Sequence, residues 1–178
     1  MDRPSGLNPQ LTHLNSVPEV YSAYIWKNVV ITLWFGAATL ESCASLERGT
    51  RKQTAEHPEG LSMVNIMVPG SRSLPGAAVR AELARIMREH ATHAAAIAVI
   101  IPGSGFWASA LRSVVVALSM LRPRDMQLSI FDSAPPLAEW LAPLHGARTG
   151  VQLAAAELLG VLREAEREAA AARARAAA

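Results

Sequence analysis

The stretch of this sequence that is most able to support chemistry is Ile100–Ser113, which reads IIPGSGFWASALRS. An apolar run ends there in a Pro-Gly-Ser-Gly turn, and the turn leads directly into a pattern typical of a helix. Such a turn suits three roles: a loop that binds phosphate, a nucleophile on a strand-to-helix elbow, or a surface that a partner recognises. The residues around the turn discriminate among the three.

A phosphate-binding loop has the least support. The Walker motif requires Gly-Lys-Ser/Thr because its lysine neutralises the phosphates, whereas Phe106 and Trp107 follow the turn here. The dinucleotide fingerprint requires three spaced glycines, and only Gly103 and Gly105 are present. We therefore expect no nucleotide at this turn and assign no cofactor to the chain.

The turn resembles a nucleophile elbow but does not match its motif. The hydrolase pattern is Gly-x-Ser-x-Gly, whereas Ser104 has a glycine directly on each side. Ser104, Asp132 and His145 nevertheless occur in the chain order of that enzyme class. A small serine hydrolase that uses these three residues is therefore an alternative hypothesis, and our leading expectation is a protein that is not an enzyme.

A recognition surface is the third role. A serine at a helix N-terminus can accept phosphate because the helix dipole stabilises negative charge, and phosphorylation would change the local charge by about two units. Trp107 lies in the first turn of the helix that follows, and an exposed aromatic residue beside such a turn is typical of a binding hot spot. The predicted partner-binding or phospho-switch residues are Gly103, Ser104, Gly105, Phe106, Trp107 and Arg112.

Each of these residues also has a purely structural interpretation. Ser104 could simply cap the helix, with the glycines permitting the turn. Trp107 could pack in the core. Arg112 lies in an otherwise apolar helix, where its side chain could reach a partner's carboxylate or extend to solvent.

The elements that would position the turn follow a β-β-α-β-α-β-α-β-α order, which predicts an α/β sheet with parallel crossovers. Two strands meet at a turn at Lys27-Asn28, and Thr39 is expected to cap the first helix. The helix after the Gly-Ser-Gly turn is apolar almost all round, so we expect it to be largely buried. We expect HGARTG, residues 145–150, to be a loop before a last helix.

Two segments resemble the STAS domain, the fold of the anti-sigma factor antagonists: VIIPGSGFWASALRSVVVALSML and the MQLSIFDSAPPLAEWL that follows it. The resemblance covers about Glu19 to Leu144. It implies a single α/β domain with a mixed sheet of about five strands, and it places Ser104 where that family is phosphorylated. Pro102 and Gly103 replace the family's Asp and first Ser, so the phosphorylation site is only partly present.

The resemblance implies a regulatory or scaffold module with a protein partner, such as a regulator, a kinase or an anti-sigma-like factor. Some STAS-like folds carry a lipid or another apolar ligand, which is a further alternative. We divide the chain into a flexible leader (1–18), the STAS-like domain (19–145) and a C-terminal helix with an Ala/Arg-rich tail (146–178). The last helix could cover the sheet or mediate self-association, and its Ala-rich end is expected to be solvated and frayed.

The composition of the chain limits which classes of protein it can belong to. A chain of 178 residues that is 51% hydrophobic can bury the core of one domain. A net charge of +2 without a basic block argues against a nucleic-acid partner, and the histidines show no metal-ligand spacing. The single cysteine favours a reducing, cytoplasmic setting, and no apolar run is long enough to predict a membrane span. The abundance of Ala and Arg suggests a bacterial origin.

Overall fold

A computed structural model describes residues 11–69, 74–120 and 126–176 of this chain. Within them, six strands form one sheet and five helices cover it, which confirms the expected α/β class with a C-terminal helix. The elements are β1 (Thr12–Val17), β2 (Tyr21–Trp26), β3 (Val29–Trp34), α1 (Leu40–Glu56), β4 (Leu61–Met67), α2 (Ala77–His90), β5 (Ala94–Ile100), α3 (Phe106–Ser119), β6 (Gln127–Phe131), α4 (Ala134–Thr149) and α5 (Ala155–Ala176).

The strands lie in the sheet in chain order, from β1 to β6. The β1–β2 and β2–β3 pairs are antiparallel, and β3 to β6 are parallel to one another. Parallel neighbours need crossover connections, which α1, α2 and α3 supply. Because such crossovers are right-handed and the strands advance in one direction, the three helices fall on the same face of the sheet.

The opposite face is covered by α4 and α5. Leu137 and Leu141 of α4 and Leu158 and Leu162 of α5 are completely buried there. They pack against residues of β2 to β5 that point to this face, such as Ile31. The layers are therefore three crossover helices, a sheet, and two C-terminal helices.

Local sequence signals predicted the β2–β3 turn and the first helix correctly. Lys27 takes the left-handed conformation, with a φ of 51°, in the predicted β2–β3 turn. The Thr39 hydroxyl accepts a hydrogen bond from the Ser42 N–H at 3.0 Å, and the Ser42 hydroxyl accepts one from the Thr39 N–H at 2.8 Å. This reciprocal pair confirms the predicted N-cap of α1.

The predicted flexible leader is wrong for Thr12–Val17, which forms β1 and pairs antiparallel with β2; residues 1–10 lie outside the described residues. The segment is polar and carries no hydrophobic alternation, so its sequence does not indicate a strand. An edge strand tolerates polar residues because one of its sides faces solvent. The ring of His13 packs edge-on against Tyr24 of β2, with 5.4 Å between the ring centroids.

The predicted loop at residues 145–150 is also wrong. Helix α4 continues through it to Thr149 and ends at Gly150, which has a φ of 78° and whose N–H donates to the Gly146 carbonyl. This left-handed glycine is the usual end of a helix. The boundary placed between residues 145 and 146 therefore falls inside α4.

One side of the Ala-rich C-terminal segment packs on the sheet, while most of its other residues are exposed as expected. Ala165 and Ala169 are completely buried, and α5 lies against β2 and β3. Small side chains at these positions let the helix backbone approach the sheet closely. The apolar side of α5, expected to cover the sheet or mediate self-association, is used to cover the sheet.

Candidate functional site

The Gly-Ser-Gly turn connects β5 to α3 at the carboxyl edge of the parallel strands. Gly103 and Gly105 have φ values of 80° and 107°, which a residue with a Cβ rarely adopts. The N-cap of α3 is Gly105, and no side chain caps the helix. Ser104 is therefore not the cap that the structural interpretation assigned to it, and its side chain is exposed.

Arg112 holds this turn in place. Its Nη2 donates to the carbonyls of Ile101 and Gly103 at 2.7 and 2.9 Å and to Oδ1 of Asp132 at 2.5 Å. Asp132 directly follows β6, so the guanidinium connects the turn after β5 to the end of the neighbouring strand. Arg112 thus makes its contacts within the chain. The sequence had suggested either a partner's carboxylate or bulk solvent for this side chain.

The two aromatic residues at the start of α3 point in opposite directions. Phe106 is 90% exposed. Trp107 is half-buried, faces the sheet, and its Nε1 is buried without a hydrogen-bond partner. Trp107, the aromatic residue predicted as an exposed hot spot, therefore belongs to the interior, and Phe106 is the aromatic residue exposed at the turn.

The three residues of the hydrolase hypothesis are not brought together. Ser104 and Asp132 follow β5 and β6 at the carboxyl edge of the sheet, whereas His145 lies at the amino edge, where it contacts the first residues of β4. The parallel strands between the edges are five to seven residues long, a separation of roughly 15–20 Å. A proton cannot pass directly from Ser104 to His145 over that distance.

His145 instead belongs to a buried polar network that its sequence position did not reveal. The Ser62 hydroxyl lies 2.7 Å from Nδ1, and Nε2 lies 2.7 Å from Oδ1 of Asn28. Since Asn28 donates its amide N–H to the Gly60 carbonyl, its Oδ1 accepts from Nε2–H, and Ser62 donates to Nδ1. All three side chains are at most 1% exposed, so no substrate reaches them.

Burial lowers the pKa of His145 to about 4, because the charged imidazolium would lose its hydration there. The ring is therefore neutral at pH 7, as the hydrogen-bond pattern requires. This network joins the turn before β3, the start of β4 and the end of α4. Its role is to hold α4 against the amino edge of the sheet.

A cavity of about 190 Å³ separates the sheet from the crossover helices. Paired residues of adjacent strands form its floor, with Met63 beside Val30 and Ile97. The helices α1, α2 and α3 form its roof. The lining side chains are mostly apolar and include Val30, Thr32, Trp34, Leu46, Thr50, Met63, Asn65, Met67, Leu83, Ile86, Met87, His90, Ile97, Val99, Trp107, Leu111, Val114, Val115, Leu118 and Leu128.

Helix α3 was expected to be largely buried, and this expectation is wrong. Only Ala108 and Leu111 of this helix are buried. Val114, Val115 and Leu118 remain half-exposed although they line the cavity. One apolar side of the helix lines the cavity, and its other apolar side, with Val116, faces solvent.

The two faces of the sheet are thus packed differently. On the face of α4 and α5, the apolar side chains of the strands and helices interlock and lose nearly all contact with solvent. On the cavity face, Met63 and Met67 in the middle of the sheet stay half-exposed. In β4 these methionines alternate with the buried Val64 and Ile66. Methionine adapts its shape to irregular spaces, so this alternation was the sequence signal of a loosely packed face.

Two polar atoms among the cavity-lining residues lack hydrogen-bond partners. They are Nε2 of His90, at the end of α2, and Nε1 of Trp107, at the start of α3. The Trp34 indole, in contrast, donates to Oδ1 of Asn65 at 3.0 Å. Buried polar groups in proteins are usually paired, so these two unpaired atoms are unusual features of the residues around the cavity.

Comparisons with models of known protein families and with curated proteins gave no match to this chain. The similarity to the STAS domain therefore stays a prediction from the sequence. Within residues 11–69, 74–120 and 126–176, no helix has both the length and the apolar character needed to cross a bilayer. The same residues contain no group of three or more His, Cys, Asp or Glu side chains that could hold a metal ion.

Proposed function

We propose that this protein is a non-enzymatic binding protein that holds a small apolar molecule between its sheet and the crossover helices. The observation that carries the proposal is the apolar cavity of about 190 Å³ on one face of a sheet whose other face is closely packed. Lining residues such as Met63, Met67 and Val115 are half-exposed, so the cavity leaves apolar surface in contact with water, and apolar surface in a cleft is typical of a binding site. An apolar ligand would remove this surface from water.

The lining supports binding more than catalysis. Methionine, leucine, isoleucine and valine side chains supply apolar contacts, and no Asp, Glu, Lys or Arg side chain of the described residues lines the cavity. The single histidine in the lining, His90, has no carboxylate or hydroxyl among its hydrogen-bond partners. A general acid–base reaction would need such a positioned pair.

Adjacent valines of α3 provide the test. Val115 lines the cavity, whereas Val116 is 43% exposed on the outer side of the helix. Val115→Phe fills part of the cavity, so we expect it to weaken binding of the neutral fluorescent probe N-phenyl-1-naphthylamine by about tenfold, an effect of about 1.4 kcal/mol. Val116→Phe adds the same volume to the surface and should leave the affinity within about twofold.

The probe is titrated into each protein while its fluorescence is followed, and thermal unfolding shows that both variants are folded. Equal affinities of the two variants would place the probe outside the cavity and contradict the proposal. Absence of saturable binding to the wild-type protein would contradict it as well.

A second candidate function is docking of a partner protein at the Gly-Ser-Gly turn, and Phe106 is the observation that favours it. A phenylalanine that is 90% exposed next to a serine at a helix start is a suitable anchor for a protein interface. Arg112 keeps the adjacent backbone in one conformation, which lowers the entropy cost of binding. The partner would be a regulator, and phosphorylation of Ser104 would add charge at the centre of the contact.

Replacement of Phe106 by serine should therefore abolish recovery of a specific partner in affinity purification from the host. Met120 is 79% exposed near the other end of α3, so Met120→Ser removes a similar exposed surface away from the turn. We expect Met120→Ser to retain the partner and Ser104→Asp to lose it. Recovery of the same partner by all four proteins would show that the turn is not the interface.

A further inference from the structure

The cavity has a closed end and an open end. At the amino edge of the sheet it is bounded by Val30, Thr50, His90 and Ala94, none of which is more than 7% exposed. At the carboxyl edge its boundary includes half-exposed residues such as Pro75. Val30 and Trp34, four residues apart in β3, both line it, so it extends along roughly 13 Å of strand.

The dimensions and the lining of the cavity indicate the class of ligand. The cavity spans the sheet from Val30 of β3 to Leu128 of β6 as well as roughly 13 Å along β3, so it is about as broad as it is long. Its volume of about 190 Å³ and its mostly apolar lining suit a small, largely apolar molecule.

The closed end carries two polar side chains from different helices. Thr50 comes from the middle of α1 and His90 is the last residue of α2, and they are 5% and 7% exposed. The Nε2 atom of His90 has no hydrogen-bond partner. A polar atom at the inner end of the ligand would complete the hydrogen bonding of this imidazole.

The charge of the surroundings selects a neutral ligand. The charged side chains closest along α1 and α2 pair with each other outside the cavity: Arg85 lies 2.7 Å from Glu47, 2.6 Å from Glu82 and 2.7 Å from Glu89. None of them lines the cavity. Burial lowers the pKa of His90 further below neutrality, so the ring offers no positive charge to an anion at pH 7. A carboxylate or phosphate at the closed end would be desolvated without a counter-charge.

We propose that the ligand is an uncharged, largely apolar molecule whose hydroxyl or carbonyl oxygen lies at the closed end of the cavity and is hydrogen-bonded to His90. This inference rests on the proposed apolar-ligand function and specifies the chemistry of the same site. A neutral imidazole suits either oxygen, since its N–H donates to a carbonyl or a hydroxyl and its free nitrogen accepts from a hydroxyl. A fatty acid with its carboxylate at the closed end is excluded by the missing counter-charge.

The test measures displacement of N-phenyl-1-naphthylamine from the full chain by 1-octanol, octanoate and 1-chlorooctane at pH 8. The wild-type protein should bind 1-octanol most tightly. In His90→Leu the affinity for 1-octanol should fall by about fivefold, the effect of one neutral hydrogen bond, while that for 1-chlorooctane should stay within about twofold. Met87→Leu, which alters an apolar lining residue of the same helix, should affect both compounds alike.

The outcomes separate the two proposals. If the probe does not bind, the apolar-ligand function fails and the inference fails with it. If the probe binds but His90→Leu weakens 1-octanol and 1-chlorooctane equally, or octanoate competes as well as 1-octanol, the cavity function stands and the oxygen bonded to His90 is ruled out. If His90→Leu does not fold, the nitrogen-15 shift of His90 Nε2 in the wild-type protein decides: it should move with 1-octanol and not with 1-chlorooctane.

Discussion

Replacement of Ala165 by glutamate is expected to lower the free energy of unfolding by about 3 kcal/mol or more. Ala165 is completely buried where α5 lies on the sheet. A glutamate there either places a desolvated carboxylate in an apolar layer or forces the helix away from β2 and β3, and both are among the most destabilising changes known for single residues. The effect would show that the Ala-rich helix is part of the core.

Ala170 provides the matched control. It lies on the same helix in an exposed position, so Ala170→Glu introduces the same side chain with similar helix propensity but without burial. We expect its free energy of unfolding in urea to stay within about 0.5 kcal/mol of the wild-type value. Two variants of equal stability would mean that α5 detaches from the sheet at no cost, which contradicts the packing described above.

Acidification should destabilise the protein through His145. Its pKa is about 4 in the folded protein, against an ordinary value of 6.5. The unfolded chain therefore binds a proton between these values and the folded protein does not, so stability is lost as the pH falls through this window. Between pH 7 and pH 4 we expect the free energy of unfolding to fall by roughly 3 kcal/mol from this group.

Urea unfolding at a series of pH values tests this expectation with two variants. His145→Gln should lower stability at pH 7, since it disrupts the bonds to Ser62 and Asn28, and should flatten the pH dependence. His93→Gln changes an exposed ring and should preserve the wild-type profile. Burial also lowers the pKa of His90, so His90 adds to the loss of stability at low pH. Wild type and His145→Gln both contain His90, so the difference between their pH profiles reports His145 alone. Parallel curves for these two proteins would contradict a neutral buried His145.

Local patterns in the sequence determined most of the elements. The alternation of apolar segments and turns predicted the strands from β2 onward, and the capping geometry of Thr39 and the turn at Lys27 were correct. These features depend on residues within a few positions of each other. The polar edge strand β1 could not be recognised, because its pairing with β2 and not its composition stabilises it.

The contacts of the functional residues depended on distant segments. His145 meets Asn28 and Ser62 across 117 and 83 positions of chain, and Arg112 meets Asp132 only because β5 and β6 are neighbours. Phe106 and Trp107 are adjacent in sequence and similar in chemistry, yet one faces solvent and the other the cavity. The rotation of α3 about its axis decides which is which, and the packing of that helix sets the rotation.

The sequence by itself determined an α/β protein with a constrained Gly-Ser-Gly turn between a buried strand and an apolar helix. Only the tertiary structure decided where the last helix lies and where the cavity forms. The strands advance across the sheet in one direction, so right-handed crossovers place α1, α2 and α3 on one face. The other face would be bare without α4 and α5, which explains why an Ala-rich segment with weak hydrophobicity of its own is buried there, while the crossover helices enclose the cavity opposite.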